Sequence, residues 1–571
     1  MRLIQRGALF GAVLCLGALV PTSALACGGF FCNQSQPVNQ AAESIIFANN
    51  GDGTTTAVIQ IQYQGPSKSF SWLLPISSVP KADSDIGVAS NLALQRLQIA
   101  TNPNYTLTTR VEGTCRQDDS LNRGNGGPPS GSGGGFATGG PILGSDSGGV
   151  TVEASGVVGA FEWTVISLDQ SLAEPADAAI EWLKRNQYDV PAGAGSLLGP
   201  YLADGMYLLA LKLTKGADSG SIRPIVLTYA GTEASIPVKL TAVAANDDMG
   251  VLAWVLGSAR AVPKNYLSLE LNEARINWFN AAPTYNSVVV QAADDAGGQG
   301  FVTEFAGATS TLANVVWTTS DQQTWTAVQS QVYGSFGELF NRVYNQYVGW
   351  DGFWDATRAA VTLPADLAFE DFKLCPNCYS TRIEFKPATY FAELERLVIA
   401  PVKLVQDLLD AHPTLTRMYT TLSAEEMTLD PIFTFNADQG DVDNQHTAER
   451  IIECNPKIFQ FEAPWRIELP QGGVVRGNAS SVGTWPTALD GLPPNARIVR
   501  TGDSGAGKVV EDNSGPILTQ LASYNASVIP PKPLGDSASG GCNLAPARTS
   551  WGVLLGALAV GSARLRRRRS R

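Results

Sequence analysis

The chain has 571 residues, of which 44% are hydrophobic and 16% charged, a balance that argues against disorder throughout. Its formal charge is −12, but setting aside Arg2, Arg6 and the seven arginines from Arg548 onward leaves 31 basic against 52 acidic residues, or −21. Such an excess argues against nucleic acid and anionic lipid surfaces as partners and admits divalent cations or basic partners.

Arg2 and Arg6 form a positive start, Ala8 to Val20 an apolar stretch, and Ala24-Leu25-Ala26 a small-x-small site. Together they predict a signal peptide over 1–26, cut after Ala26 to leave Cys27 first. Ala24 stands where a lipobox needs a branched aliphatic residue, so ordinary processing is favoured over lipoprotein processing.

The mature part opens β-rich. Ser44 to Ala48 runs into Asn49-Asn50-Gly51-Asp52-Gly53, residues that tolerate positive φ, and then into a strand where Ile59, Ile61 and Tyr63 alternate with Gln60, Gln62 and Gln64. That alternation predicts one face in the core and one in water. Phe70 to Leu74 reads as a strand stopped by Pro75, Asp85 to Ile99 as a helix, and Tyr105 to Val111 as a strand.

Residues 124–149 hold 12 glycines in 26 positions and read as a flexible surface insertion. After it, Asp177 to Asn186 predicts a helix, and Tyr207 to Leu213, Ile225 to Tyr229, Ile236 to Val243 and Val251 to Leu256 predict strands. Further on, Phe391 to Val398 and Val402 to Leu409 carry helical spacing, with Pro401 expected to break them, and Ser423 and Glu426 have capping-box spacing. The fold class expected is α+β: a β-rich mixed-sheet domain over 27–307, then a more helical region over 308–525. Residues 526–541 read as a Pro/Gly/Ser stalk.

The end of the chain reads as a sorting tag: Cys542, an apolar run from Trp551 to Ala563, then Arg564 and Arg566 to Arg569. Thirteen helical residues span roughly 20 Å, short of a hydrocarbon layer of roughly 30 Å. The arginines would stay cytoplasmic. The segment over 542–571 resembles the C-terminal sorting tags of myxobacterial surface proteins, and the resemblance implies processing near Cys542 and display on the outer surface or envelope.

Six cysteines fall between the two ends: Cys27, Cys32, Cys115, Cys375, Cys378 and Cys454. An even set in an exported chain predicts three disulfides, with Cys27–Cys32 suggested by proximity and the remaining connectivity open. Cys375-Pro376-Asn377-Cys378 has redox spacing. Its flanks read as loop and strand, not as the strand-to-helix opening that thiol chemistry uses, so a structural disulfide is favoured over thiol exchange or a metal site.

Gly502-Asp503-Ser504-Gly505 mimics a serine-protease string, but only His412 and His446 exist, neither in a suitable context, and His446 precedes Ser504 by just 58 positions. The same stretch mimics a phosphate loop, with Val509 where a hydroxyl should reach magnesium. Both read as a Gly-rich turn. The acidic loop holding Asp438, Asp441, Asp443 and Asn444 offers oxygen ligands of the kind calcium takes, weighed against a solvated face, and no other cofactor is expected.

Cys27-Gly28-Gly29-Phe30-Phe31-Cys32, Pro37 to Gln40, Ile59 to Gly65 and Phe70-Ser71-Trp72 resemble the opening of the bacterial family called domain of unknown function 2330. Glu181 to Tyr188 and Pro237 to Ala242 are similar to its later blocks. The resemblance implies location and kinship and carries over no activity or catalytic residues. The reading is an exported, surface-anchored, non-catalytic envelope protein, structural or ligand-binding, with an envelope or extracellular partner. A secreted carboxylate-dependent hydrolase and a surface thiol oxidoreductase are the alternatives.

Overall fold

A computed structural model describes residues 39–64, 71–81, 84–116, 149–188, 190, 193–214, 222–243, 245–478 and 483–529. The signal peptide with Ala26, the pair Cys27 and Cys32, residues 124–148 of the insertion, residues 530–541 of the stalk and the tag with Cys542 lie outside the described residues.

A ten-stranded sheet organises the molecule. Its strands are β1 (Asn39–Asn49), β2 (Thr54–Gln64), β3 (Ile86–Val88), β4 (Ile225–Ala230), β5 (Met249–Gly257), β6 (Leu267–Leu271), β7 (Gly300–Ala308), β8 (Thr414–Leu422), β9 (Asn495–Arg500) and β10 (Lys508–Asp512). They lie in the order β10-β9-β6-β7-β8-β5-β1-β2-β4-β3. The pairs β1–β5 and β6–β7 are parallel, and the other pairings are antiparallel. β8, β9 and β10 come from beyond residue 307 and pair with strands before it or with one another.

Both faces of the central strands are covered, which explains why β5 is buried at all nine positions. Ile45 and Phe47 of β1 pack against Trp72, Trp163 and Leu211. These belong to a four-stranded sheet of Ser71–Ile76, Tyr207–Leu213, Phe161–Leu168 and Val150–Val158. Ile46 and Ala48 point the other way, into a helical layer. That layer comprises α1 (Asn91–Thr101), α2 (Thr319–Ser330), α3 (Phe336–Tyr347), α4 (Phe353–Ala360), α5 (Phe369–Leu374), α6 (Pro387–Leu394) and α7 (Ala400–Ala411). The molecule is therefore α+β, strand-rich early and helical later.

At Val58 and Gln60 the second face of β2 is thus not in water. Val58 is buried in the helical layer and the Gln60 amide donates to Asn91 Oδ1 at 2.8 Å. The covering helices lie from about 30 positions away, at α1, to more than 250 away, at α2 and beyond, outside what local alternation reports.

Four local expectations are corrected. The strand Ser71–Ile76 runs through Pro75, because it is an edge strand and one side of its backbone needs no donor. Asp85 to Ile99 splits: Ile86–Val88 pairs with β4, and α1 begins only after Ser90, whose hydroxyl accepts from Leu92 N. Within Ile236 to Val243, residues Val238–Thr241 form one helical turn, pinned where Lys239 N donates to Asp430 Oδ1 at 3.0 Å. Ser423 N donates to the Glu426 carboxylate, half of a capping box, but only a turn follows.

Pro401 gives a fifth. Helix α6 passes through a π-turn at Glu395–Ile399 directly into α7, so the chain stays helical across the proline. A proline offers no N–H to the carbonyl four residues back, and the wider π-turn makes room for its ring.

A third sheet pairs Asn104–Glu112 with Gln445–Glu453 in parallel, from Asn104↔Gln445 to Glu112↔Glu453, and adds Trp465–Glu468 and Val474–Gly477. The Cys115–Cys454 disulfide locks its end. Cys375 and Cys378 form a second disulfide.

Candidate functional site

A cleft of about 690 Å³ opens between the strand-rich part and the helical layer. Val157, Gly159, Thr214 and Arg223 line one side. The loop Val348–Asp355, then Arg358, Phe369 and Lys373, and finally Glu393, Arg396 and Leu397 line the other.

Arg223 holds the two sides together. Its Nε donates to Ala89 O at 3.2 Å and its Nη2 to Leu397 O at 2.9 Å. Leu397 is the residue four before Pro401, and the proline has no N–H to offer its carbonyl. Burial pulls the guanidinium pKa down, while the nearby carboxylates of Asp351 and Asp355 oppose the shift. Gly352 presses into the same corner with φ +81°, where a Cβ would stand 2.4 Å from Leu397 O.

The loop into α4 is equally fixed. Asp351 accepts from Ser90 Oγ at 2.9 Å and from Asn91 N at 2.7 Å, tying the cleft wall to the start of α1. Trp350 packs edge-on against Trp317 and Tyr347, with Arg96 over its ring at 5.3 Å. On the rim, Arg396 Nη2 meets Glu393 Oε2 at 2.6 Å and Lys373 pairs with Glu370. Arg358 lies 4.3 Å over the ring of Phe369, which stands at 86° to Trp354. The lining thus mixes four cations with three carboxylates beside half-buried aromatic rings. A smaller apolar pocket of about 190 Å³ lies among Ile45, Phe47, Ile59, Leu74 and Leu227.

The residues singled out from sequence are elsewhere. Asp438 Oδ2 accepts from Gly505 N at 2.6 Å, so it holds the Gly502–Gly505 turn. The Asn444 amide donates to Ala100 O and Asn102 O at 3.3 and 2.8 Å, and Asp443 Oδ1 accepts from Gln445 N at 2.9 Å. Asp441 lies near Arg260. Among the described residues no group of three or more His, Cys, Asp or Glu side chains is placed to hold a metal.

Cys375 ends α5, and Pro376–Tyr379 is a single 3-10 turn packed by Asn377 onto Asn341 of α3 at 2.7 Å. The segment before Cys375 is therefore helix where loop was expected, and the cysteine pair closes that helix instead of opening one. Lys373, two residues earlier, lines the cleft.

Two features had no signal in the sequence. One is the cleft, whose parts are scattered from Val157 to Leu397. The other surrounds His446. Its Nδ1 meets Glu273 Oε1 at 2.6 Å, Glu273 is 3% exposed, and the imidazole stacks on Tyr105 at 4.5 Å. Burial and the charges of Glu273 and Glu304 raise the Tyr105 pKa. His412 instead lies between Leu408 O and Asn49 O at 2.7 and 2.9 Å.

No helix among the described residues is long and apolar enough to cross a membrane. No curated protein and no solved structure matches the chain. Residues 21–322 match the family described as uncharacterized protein conserved in bacteria (DUF2330), and with more than half of its length so matched the chain belongs to that family.

Proposed function

We propose that this chain is exported, held at the cell surface through its C-terminal segment, and binds a ligand in the Arg223–Leu397 cleft without transforming it. The cleft carries this reading. It has the size of a ligand site, and its walls are held by cross-bonds in advance, so little ordering opposes binding. The start over 1–26 and the tag over 542–571 support export and anchoring, and two disulfides suit an oxidising setting.

Protease treatment of intact cells tests the location. The protein is expected to be cleaved from outside, and Cys542→Ala to release it or leave it unprocessed. Protection from protease, or unchanged attachment and mass in the variant, overturns the anchoring.

A secreted hydrolase is the second reading, and the Glu273–His446 bond favours it. A carboxylate that fixes one ring nitrogen leaves the other to take a proton. Hydrolysis of ester or glycoside probes that His446→Ala abolishes, in a variant that still folds, would select this reading.

A further inference from the structure

We propose that the cleft takes a neutral oligosaccharide, an inference that rests on the binding reading above. Its lining charges nearly balance: Arg223, Arg358, Lys373 and Arg396 face Asp351, Asp355 and Glu393. An anionic ligand gains at the guanidinium groups and loses at the carboxylates, and a cationic ligand does the reverse. A hydroxyl group both donates and accepts, so a polyol bonds to either kind without a charge penalty.

The planar groups fit neighbouring hydroxyls in pairs. On the rim Arg396 Nε and Nη2 both donate to Glu393 Oε2, at 3.2 and 2.6 Å, so the pair turns Nη1 donors and the Oε1 acceptor toward neighbouring hydroxyls. Trp354 stands nearly perpendicular to Phe369, with centroids 6.3 Å apart; Arg358 lies over the Phe369 ring, and the half-buried Trp354 ring is the apolar surface against which the C–H face of a sugar ring packs. A site of 690 Å³ lies well inside the range of small-molecule pockets and has room for more than one ring. The buried Arg223–Leu397 bond and the Asp351 bonds hold these groups in place before the ligand arrives.

Titration calorimetry on the purified full-length protein tests this. The neutral probes are tetrasaccharides of glucose in α and β linkage, of mannose and of N-acetylglucosamine. Tetragalacturonate, pentalysine and pentaglutamate are the charged probes. At least one neutral tetrasaccharide is expected to bind. Trp354→Ala and Arg396→Ala should each weaken it about tenfold, while Val332→Ser on an exposed site away from the cleft changes nothing. Arg396 is 66% exposed, so its variant reads out binding even if Trp354→Ala misfolds. Binding of a charged probe alone, weakened by the cleft variants, overturns the saccharide inference and leaves the cleft reading standing. A neutral probe whose binding neither variant alters overturns both. No binding of any neutral probe at about 10 mM overturns the inference.

Discussion

The guanidinium of Arg223 donates at 2.9 Å to the main-chain oxygen of Leu397, the carbonyl four residues before Pro401, which has no N–H to give it. A side chain from the strand-rich half thus bonds to a helix of the other half, at the wall of the 690 Å³ cleft. The proline does not stop the helix because a π-turn absorbs its ring and an arginine replaces its missing donor.

Replacing that arginine should expose the coupling. Arg223→Leu removes the donors to Ala89 O and Leu397 O and is expected to cost about 2–3 kcal/mol in urea unfolding. Adding Pro401→Ala restores an N–H four residues after Leu397, so the double variant should recover part of the loss. Strict additivity of the two changes would show that the bond and the proline are uncoupled.

Gly352→Ala acts on the same corner from the other side. Its backbone sits at φ +81° and the new methyl would meet Leu397 O at 2.4 Å. Strain of about 1–3 kcal/mol and a displaced carbonyl are expected, with a lowered melting temperature. A melt equal to the wild type would count against the close approach.

Glu304 and Arg417 pair inside the central sheet, 3% and 4% exposed, with Tyr285 also bonded to Glu304. The Arg417 guanidinium also donates to Gln98 O and Thr101 Oγ1, each at 3.1 Å. Glu304→Gln leaves a buried cation without its counter-charge and should cost about 3–5 kcal/mol. Replacing both by apolar residues should cost less than the sum of the single changes, read from a double-mutant cycle.

The Cys115–Cys454 bridge joins residues 339 positions apart at the end of a parallel strand pair. On chain-entropy grounds so long a loop stabilises by about 6 kcal/mol, at or above the top of the usual range. Cys115→Ser with Cys454→Ser should therefore lower the urea midpoint more than loss of Cys375 and Cys378, whose bridge closes three residues. The reverse order would contradict this assignment.

Asp321 gives the pH dependence. Burial works to raise its pKa, but bonds from Arg96 and from the Thr318 hydroxyl and N–H prevail and hold it below the ordinary 3.8. A depressed acid stabilises the fold above its unfolded pKa and loses that contribution as pH falls through the folded one. Asp321→Asn should cost about 1–2 kcal/mol at pH 7, with the gap to wild type narrowing below about pH 4 in urea titrations. A gap unchanged at pH 3 would exclude the carboxylate as its source.

Local pattern settled what local physics controls. The apolar face of the helix Pro175–Arg185, the strands Tyr207–Leu213 and β4, the short Cys375–Cys378 loop and the α+β class all follow from spacing within a dozen residues. Tertiary structure alone decided that Gln60 faces a helical layer and that Pro401 lies within a continuous helix. It also brought Glu273 to His446 and Arg223 to Leu397 across more than 170 positions. Periodicity reports which side of an element is apolar, whereas what covers that side depends on chain closure over hundreds of residues, and no short stretch of sequence encodes that.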